Sequence, residues 1–186
     1  KRQFIIMSSE LRVDKIIPTD GVPTGGGGGI IQVKSATITN TFDNDQETFV
    51  DITGVTVTIT PKFNTSKMLV MYNGCAGVES TNRFGHLRVV RVIGGTTNTT
   101  IYVGDQGLSN QARTSSSFSC SQAYMLNQFS GTFMDAPATT SAVTYKLQVA
   151  AGDTGYKVNI GRSDENSNEF SRARTPTSIT VMEVSA

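Results

Sequence analysis

The sequence lacks tryptophan, has one histidine and two cysteines among its 186 residues, and contains no long hydrophobic run. A membrane-spanning helix needs about 20 consecutive apolar residues, so we expect no membrane insertion. Charged residues make up only 17% of the chain and the net charge is +1. No Lys/Arg cluster is dense enough to displace many counterions, so we expect no nucleic-acid partner.

In place of charge the sequence has Thr, Ser, Asn, Gln and 18 glycines, and 37% of its residues are hydrophobic. Short polar residues and turn formers suit strands joined by polar turns, whereas a helical bundle needs more Ala, Leu, Glu and Lys. The length is sufficient for one well-buried domain with residues left over for an arm. The composition therefore predicts an all-β domain.

The two cysteines, Cys75 and Cys120, lie far apart in the chain. One disulfide and two separate thiols both fit the sequence. Separate thiols are favoured, because disulfide-stapled domains carry more cysteines and are usually shorter. Neither cysteine shares a metal-ligand spacing with His86, the only histidine. We expect no metal and no cofactor.

Catalytic machinery is equally sparse. A Ser-His-Asp site built on His86 would need a positioned serine, and the sequence contains no Gly-x-Ser-x-Gly elbow. The acidic stretch FDNDQET (42–48) lacks the glycine and glutamate of a calcium-binding EF-hand loop and is interpreted as a solvated turn. A carboxylate pair that meets only in the folded chain, as in a polysaccharide depolymerase, stays open. The prediction is that the chain is not an enzyme.

Residues 21–33 read GVPTGGGGGIIQV and contain five consecutive glycines, Gly25, Gly26, Gly27, Gly28 and Gly29. A phosphate-binding loop would have the pattern Gly-x-x-x-x-Gly-Lys-Ser/Thr and would lead into a helix. These glycines lead instead into Ile30 and Ile31, with no adjacent lysine. Glycine-rich sequence of this kind behaves as flexible coil, so we interpret residues 25–29 as a hinge.

Residues 1–24 precede this hinge and include LRVDKIIPTDGVPT (11–24). The segment is too short to bury its own apolar side chains, which are Leu11, Val13, Ile16 and Ile17. Each of these gains burial only against a partner, at about 1.5–3 kcal/mol for a fully buried aliphatic side chain. We therefore expect residues 1–24 to be an extended anchoring arm that becomes ordered only against a partner.

Residues 30–186 form a succession of strand patterns. GVTVTIT (54–60) places Val55, Val57 and Ile59 on one face and threonines on the other, and AVTYKLQVA (142–150) repeats the alternation. About eight to ten such strands separated by turn signals predict an antiparallel β-sandwich that is jelly-roll-like.

Three further stretches, 67–72, 87–93 and 178–184, carry apolar residues on both faces. Strands of this kind are covered from two sides, and we expect one cover to be the second sheet and the other a neighbouring subunit.

The segment GDQGLSNQARTSSSFSCSQ (104–122) is long, polar and low in complexity. Such a loop on a rigid β scaffold often carries recognition, although a merely tolerated insertion fits equally well. If the loop does recognise a ligand, its candidate contacts are Gln106, Asn110, Gln111 and Arg113.

Four phrases carry a resemblance to a known family. They are LRVDKIIPTDGVPTGGGGGIIQV (11–33), FVDITGVTVTITPKFNTSKMLV (49–70), GTFMDAPATTSAVTYKLQVAA (131–151) and TPTSITVMEV (175–184). In this order they resemble a recurring β domain at the C-terminus of tail-fibre-like and structural virion proteins of marine tailed bacteriophages, cyanophages among them. The resemblance extends over nearly the whole chain from Ser9 to Val184.

The resemblance implies a virion protein with a jelly-roll-like head, a homotrimeric state and an N-terminal segment that docks it to the particle. A short tail fibre or knob that binds a host-surface receptor or glycan is the function we expect. A capsid-surface decoration protein without a receptor role is the alternative, and the depolymerase is a third. In each case the chain would be located in the virion, at the particle surface or tail.

Overall fold

The computed structural model describes residues 29–79 and 82–185, so the predicted arm and all of the hinge except Gly29 lie outside the described residues. Within these ranges the chain forms no helix, and hence none that could cross a membrane. The strands are β1 (Ile30–Ile38), β2 (Phe42–Asn44), β3 (Val50–Ile59), β4 (Lys67–Val78), β5 (Arg83–Ile93), β6 (Thr97–Ile101), β7 (Ser116–Cys120), β8 (Asn127–Asp135), β9 (Val143–Ala151), β10 (Val158–Ile160) and β11 (Thr177–Val184).

The strands pair into two antiparallel sheets. In sheet 1, β11 lies between β1 and β4, and β8 pairs with the other side of β4. The short strand β10 pairs with the end of β4 and so continues the position of β11, and β2 pairs with β10 and so continues the position of β1. In sheet 2 the order is β3, β9 and β5, and β6 and β7 share the outer row beside β5.

This connectivity defines a jelly roll. When β1 with β2, β6 with β7 and β10 with β11 are each counted as one row, the chain has eight rows. Sheet 1 then contains the first, eighth, third and sixth rows, and sheet 2 the second, seventh, fourth and fifth. Two interlocked Greek keys of this kind form a jelly roll, which confirms the predicted fold class.

The core lies between the two sheets and is made by the alternation that the sequence predicts. Val55, Val57 and Ile59 of β3 are buried while the threonines between them are exposed, and β9 repeats the pattern. The largest fully buried side chains include Tyr72, Tyr145, Ile52, Met68, Leu87 and Ile179. Each buried aliphatic or aromatic side chain contributes about 1.5–3 kcal/mol to folding, so this layer accounts for most of the stability.

Three details differ from the sequence-based expectation. The described residues contain eleven strands where eight to ten are predicted, because the three-residue strands β2 and β10 are too short to leave a pattern. β6 occupies part of the predicted turn at 93–100. β7 lies inside the predicted loop at 104–122, where serines alternate with buried Phe118 and Cys120.

Both cysteines are free thiols, as favoured from the sequence. Cys75 is half-buried on β4, and Cys120 is buried on β7 in the other sheet.

The two ends of the sandwich hold different segments of the chain. Ser185 donates its N–H to the carbonyl of Gly29 at 3.0 Å, so the chain enters the sandwich at the end that also holds the turn at 61–66. We call this the Gly29 end. The connections 45–48, 121–126, 152–157 and 161–176 lie at the other end, the far end.

Candidate binding surface

The candidate site is built by the loop between β6 and β7, residues 102–115. It leaves sheet 2 after Ile101, which is paired with Val89. It returns at Ser115, whose N–H donates to the carbonyl of Leu87 at 2.8 Å. Because its ends are close and it packs on its own side chains, it is an Ω-loop, a type of loop that frequently carries function.

Internal hydrogen bonds fix the shape of this loop. Gly104 donates its N–H to the carbonyl of Thr114 at 3.3 Å, and the Arg113 Nε–H donates back to the carbonyl of Gly104 at 2.9 Å. At the tip, the N–H of Gln111 donates to the carbonyl of Leu108, while the N–H of Leu108 donates to Gln111 Oε1, both at 2.9 Å. The loop tip is therefore held in one arrangement although its side chains are exposed.

Gly107 leaves room at this tip for the Gln111 amide. A Cβ atom there would lie 1.9 Å from Gln111 Oε1, so any side chain would displace the Gln111 amide from Leu108. Gly107 thus allows the Gln111 side chain to pack against the backbone of the tip.

The tip of the loop closes one side of a cleft of about 270 Å³ on the outer face of sheet 2, towards the far end. We call it the His86 cleft. Its other walls come from the turn before β3, from β5 and from the end of β9. The lining residues are Glu47, Phe49, His86, Ser109, Asn110, Gln111, Ala112, Ala151 and Gly152. The cleft combines a carboxylate, two amides, an imidazole and an aromatic ring.

His86 lies half-buried in this cleft, and its Nδ1 is 3.2 Å from the hydroxyl oxygen of Ser117. Burial lowers the pKa of His86 and outweighs the opposing effect of Asp153. The imidazole is therefore neutral at pH 7 and has one N–H donor and one acceptor nitrogen.

Glu47 is held by the far end of the sandwich. Its Oε1 accepts hydrogen bonds from the N–H of Thr154 at 3.1 Å and from the Thr154 hydroxyl at 3.0 Å. These bonds fix the carboxylate on the rim of the cleft. The Asn110 side chain, by contrast, makes no hydrogen bond to another described residue and is free to meet a ligand.

The floor beside the cleft is charged but internally paired. Lys146 Nζ donates to Asp51 Oδ2 at 2.8 Å, and Gln148 Nε2 donates to Asp51 Oδ1 at 2.6 Å. Burial works to raise the pKa of Asp51, but these two hydrogen bonds and the positive charges of Lys146 and Arg88 together outweigh it and leave the pKa below its ordinary value. The Arg88 guanidinium lies over the Phe49 ring, 4.1 Å from its centroid.

A second hollow of about 350 Å³ lies on the other side of the loop tip and shares Gln111 and Ala112 with the His86 cleft. It contains Arg113 and Asp105. Each of the two hollows therefore contains a single carboxylate among its described lining residues. In residues 29–79 and 82–185, no group of three His, Cys, Asp or Glu side chains is placed to hold a metal ion.

The structure places the sequence-predicted recognition residues around these hollows. Asn110 lines the His86 cleft, Gln111 lines both hollows and Arg113 lines the second, whereas Gln106 is exposed and lines neither. The arm residues Leu11, Val13, Ile16 and Ile17 lie outside the described residues. Sequence reasoning missed Glu47, Phe49 and the end of β9, because only the folded topology brings these distant segments beside the loop.

The chain has few similarities to known proteins. No family model matches the chain, and no curated protein matches it. Among solved structures it is similar to a chain in the structure of infectious bursal disease virus Gx strain. The identity is 12% and the TM-score 0.46, over 83% of this chain and 39% of that one.

A chain in the structure of infectious bursal disease virus Gt strain is also similar, at 13% identity and a TM-score of 0.39, over 82% of this chain and 40% of that one. The chain thus spans about two fifths of the length of the viral chains that it matches. Similarity at this level does not define a shared function. The resemblance to bacteriophage fibre domains stays a prediction from the sequence.

Proposed function

We propose that the chain is the head of a non-enzymatic virion structural protein, of the short tail fibre or knob type, that binds a glycan on the host-cell surface through the His86 cleft. The observation that carries this proposal is the placement of the cleft. It lies towards the far end of the sandwich, whereas the chain enters at the Gly29 end. A head attached to a particle through residues 1–24 would therefore present the cleft away from the attachment.

The scaffold suits a surface-binding role. Two sheets with a continuous core hold the Ω-loop at both of its ends, and the tip has its own hydrogen bonds. A pre-formed loop loses little conformational entropy on binding, which improves affinity without further contacts.

The chemistry of the cleft favours a neutral, polyhydroxylated ligand. The Asn110 amide and the neutral His86 imidazole each combine donor and acceptor capacity, which matches hydroxyl groups that also do both. Phosphate recognition would need converging Arg or Lys side chains, and none lines the His86 cleft. We therefore assign the ligand to the class of host-surface glycans.

The test measures adhesion of the purified full chain to cultured cyanobacterial cells and to a panel of their surface glycans. Replacing Asn110→Ala removes a hydrogen-bonding group that is not used in folding, and should weaken binding about three- to tenfold. Asn64→Ala, at an exposed asparagine of the Gly29 end, is the matched control and should leave binding unchanged.

Adhesion that is weakened about three- to tenfold with Asn110→Ala and unchanged with Asn64→Ala would support the receptor role. The absence of any adhesion by the wild-type chain would contradict it and would favour capsid-surface decoration. Release of shortened polysaccharide during the assay would instead indicate a depolymerase.

A further inference from the structure

The outer face of sheet 1 is an open surface almost free of charge. Four strands contribute to it, and their outward residues are Val33, Ser35 and Thr37 of β1; Ser178, Thr180, Met182 and Val184 of β11; Leu69, Met71 and Asn73 of β4; and Ser130, Thr132 and Met134 of β8. We call this set the bare face. Lys67, at its Gly29 end, is the charged side chain nearest to it in the strand register.

One row of the bare face is apolar across all four strands. Val33 is paired with Met182, Met182 with Leu69, and Leu69 with Met134. The outermost members are well exposed, Val33 by 49% and Met134 by 51%. Contiguous exposed apolar surface of this kind marks an interaction site more often than a solvated face.

Four polar side chains of the bare face are paired with each other, so covering these four costs little. The hydroxyls of Ser35 and Thr180 are 2.8 Å apart across β1 and β11, and the Ser178 hydroxyl donates to Asn73 Oδ1 at 3.2 Å. Burying a polar group is costly mainly when it loses its hydrogen bond, and these groups already bond to each other.

The outer face of sheet 2, in contrast, is charged. There Asp51, Arg88 and Lys146 form a charged, hydrogen-bonded floor, and the Ω-loop covers the part towards the far end. The two outer faces therefore differ in chemistry: sheet 2 carries paired charges and the Ω-loop, whereas the bare face has only Lys67 as a charged neighbour, at its Gly29 end.

The bare face continues into an unguarded edge. β8 has nine residues and pairs with β4 on one side, and no described strand pairs with the other side. Natural edge strands are usually protected by outward charges, prolines or bulges, because an open edge templates pairing with another chain. The outward residues of β8, from Gln128 to Met134, include neither charge nor proline.

From these observations we infer that the bare face, together with the β8 edge, is the contact surface for a second copy of this chain. The inference rests on the proposed function, since it supplies the interface of an oligomeric head. Because the face and the edge carry almost no charge, the bare face of one copy can contact the β8 edge of the next without like-charge repulsion, as a closed trimer requires. Four strands of about seven residues give a flat area of roughly 19 by 23 Å, or about 440 Å², against about 800 Å² per partner in a standard interface, so the β8 edge must supply the remaining contact area.

The test is the mass of the full chain in solution, measured by light scattering at tens of micromolar. The wild type should be an oligomer, with a trimer predicted from the resemblance. Met182→Lys places a charge at the centre of the bare face and should dissociate the oligomer to single chains. The matched control Asn98→Lys adds the same charge to an exposed position of β6 in sheet 2 and should leave the mass unchanged.

Thr132→Lys, at an exposed position of the β8 edge, is the second variant and should also dissociate the oligomer. It guards against loss of folding in Met182→Lys, and circular dichroism reports folding for all variants. A monomeric wild type, or an oligomer that both lysine variants leave intact, would overturn the inference. Cross-linking of residues 1–28 to the bare face within a single chain would also overturn it. In each of these cases, glycan adhesion through the His86 cleft would still be measurable, so the proposed function is tested separately.

Discussion

At the scale of single residues, His86 illustrates what sequence alone leaves undecided. The sequence marks it as an isolated histidine without catalytic partners, and the structure places it half-buried in a cleft beside Ser117. Its position depends on the Ω-loop and on segments far away in the chain, which no local pattern encodes. Gln111 is similar, because its exposed amide is fixed by a backbone N–H only when Gly107 leaves room.

The burial of His86 makes a pH prediction. Its folded pKa lies below the ordinary value of 6.5, so the unfolded chain binds the proton more tightly than the folded one. The contribution of His86 to stability should therefore be constant above its ordinary pKa of about 6.5 and should fall as the pH drops towards its folded pKa. Since the chain has one histidine, the imidazole C–H signal in an NMR titration reports this group alone. A midpoint at or above 6.5 would contradict the placement of His86 in the cleft.

At the scale of elements, the alternation of apolar residues predicted β3 and β9, and apolar residues on both faces predicted β4, β5 and β11, but neither pattern predicted which strands pair. The strands β2 and β10 were missed because three residues are too few to show a period, and β7 was missed because it lies inside a serine-rich polar segment. The pairing of β11 between β1 and β4 joins the end of the chain to its beginning, and such long-range contacts follow from burial of the whole core.

Asp135 is the clearest link between elements of the two sheets. It lies at the end of β8, and its carboxylate accepts hydrogen bonds from Arg91 of β5 at 2.7 Å and from the Tyr145 hydroxyl of β9 at 2.6 Å. Burial, together with the Asp135 carboxylate, raises the pKa of Tyr145, so its hydroxyl stays protonated and keeps donating. The side chains of Arg91 and Asp135 are only 17% and 11% exposed.

We expect Asp135→Ala to lower the free energy of unfolding by about 2–4 kcal/mol, because it leaves the Arg91 charge nearly buried without its partner. Urea unfolding measures the change. The control is Asp153→Ala, which breaks a more exposed pair with Arg83 and should cost less than about 1 kcal/mol. Equal losses in the two variants would show that Asp135 does not link the sheets.

At the scale of the whole molecule, the jelly roll separates three surfaces. The Gly29 end receives the chain from residues 1–28, the outer face of sheet 2 carries the His86 cleft, and the outer face of sheet 1 is bare. The fold class was predictable, and so was a long polar loop within residues 104–122, because strand alternation and a long polar segment are local signals. The separation of the two outer faces was not, since it depends on which side of each strand the topology turns inward.

If copies associate through their bare faces, every cleft-bearing face turns outward from the assembly. The head would then offer several identical clefts at once, and their combined binding exceeds that of a single cleft without any new contact. Oligomerisation through the bare face would therefore strengthen binding through the His86 cleft.

The most direct measurement is antibody labelling of intact virus particles with an antibody raised against residues 104–114, followed by electron microscopy. A virion head with an outward cleft predicts labelled particles, with the label at the tail or particle surface and host adhesion blocked by the antibody. Particles that bind the antibody only after they are broken open, or never, would contradict the placement of this head on the virion surface.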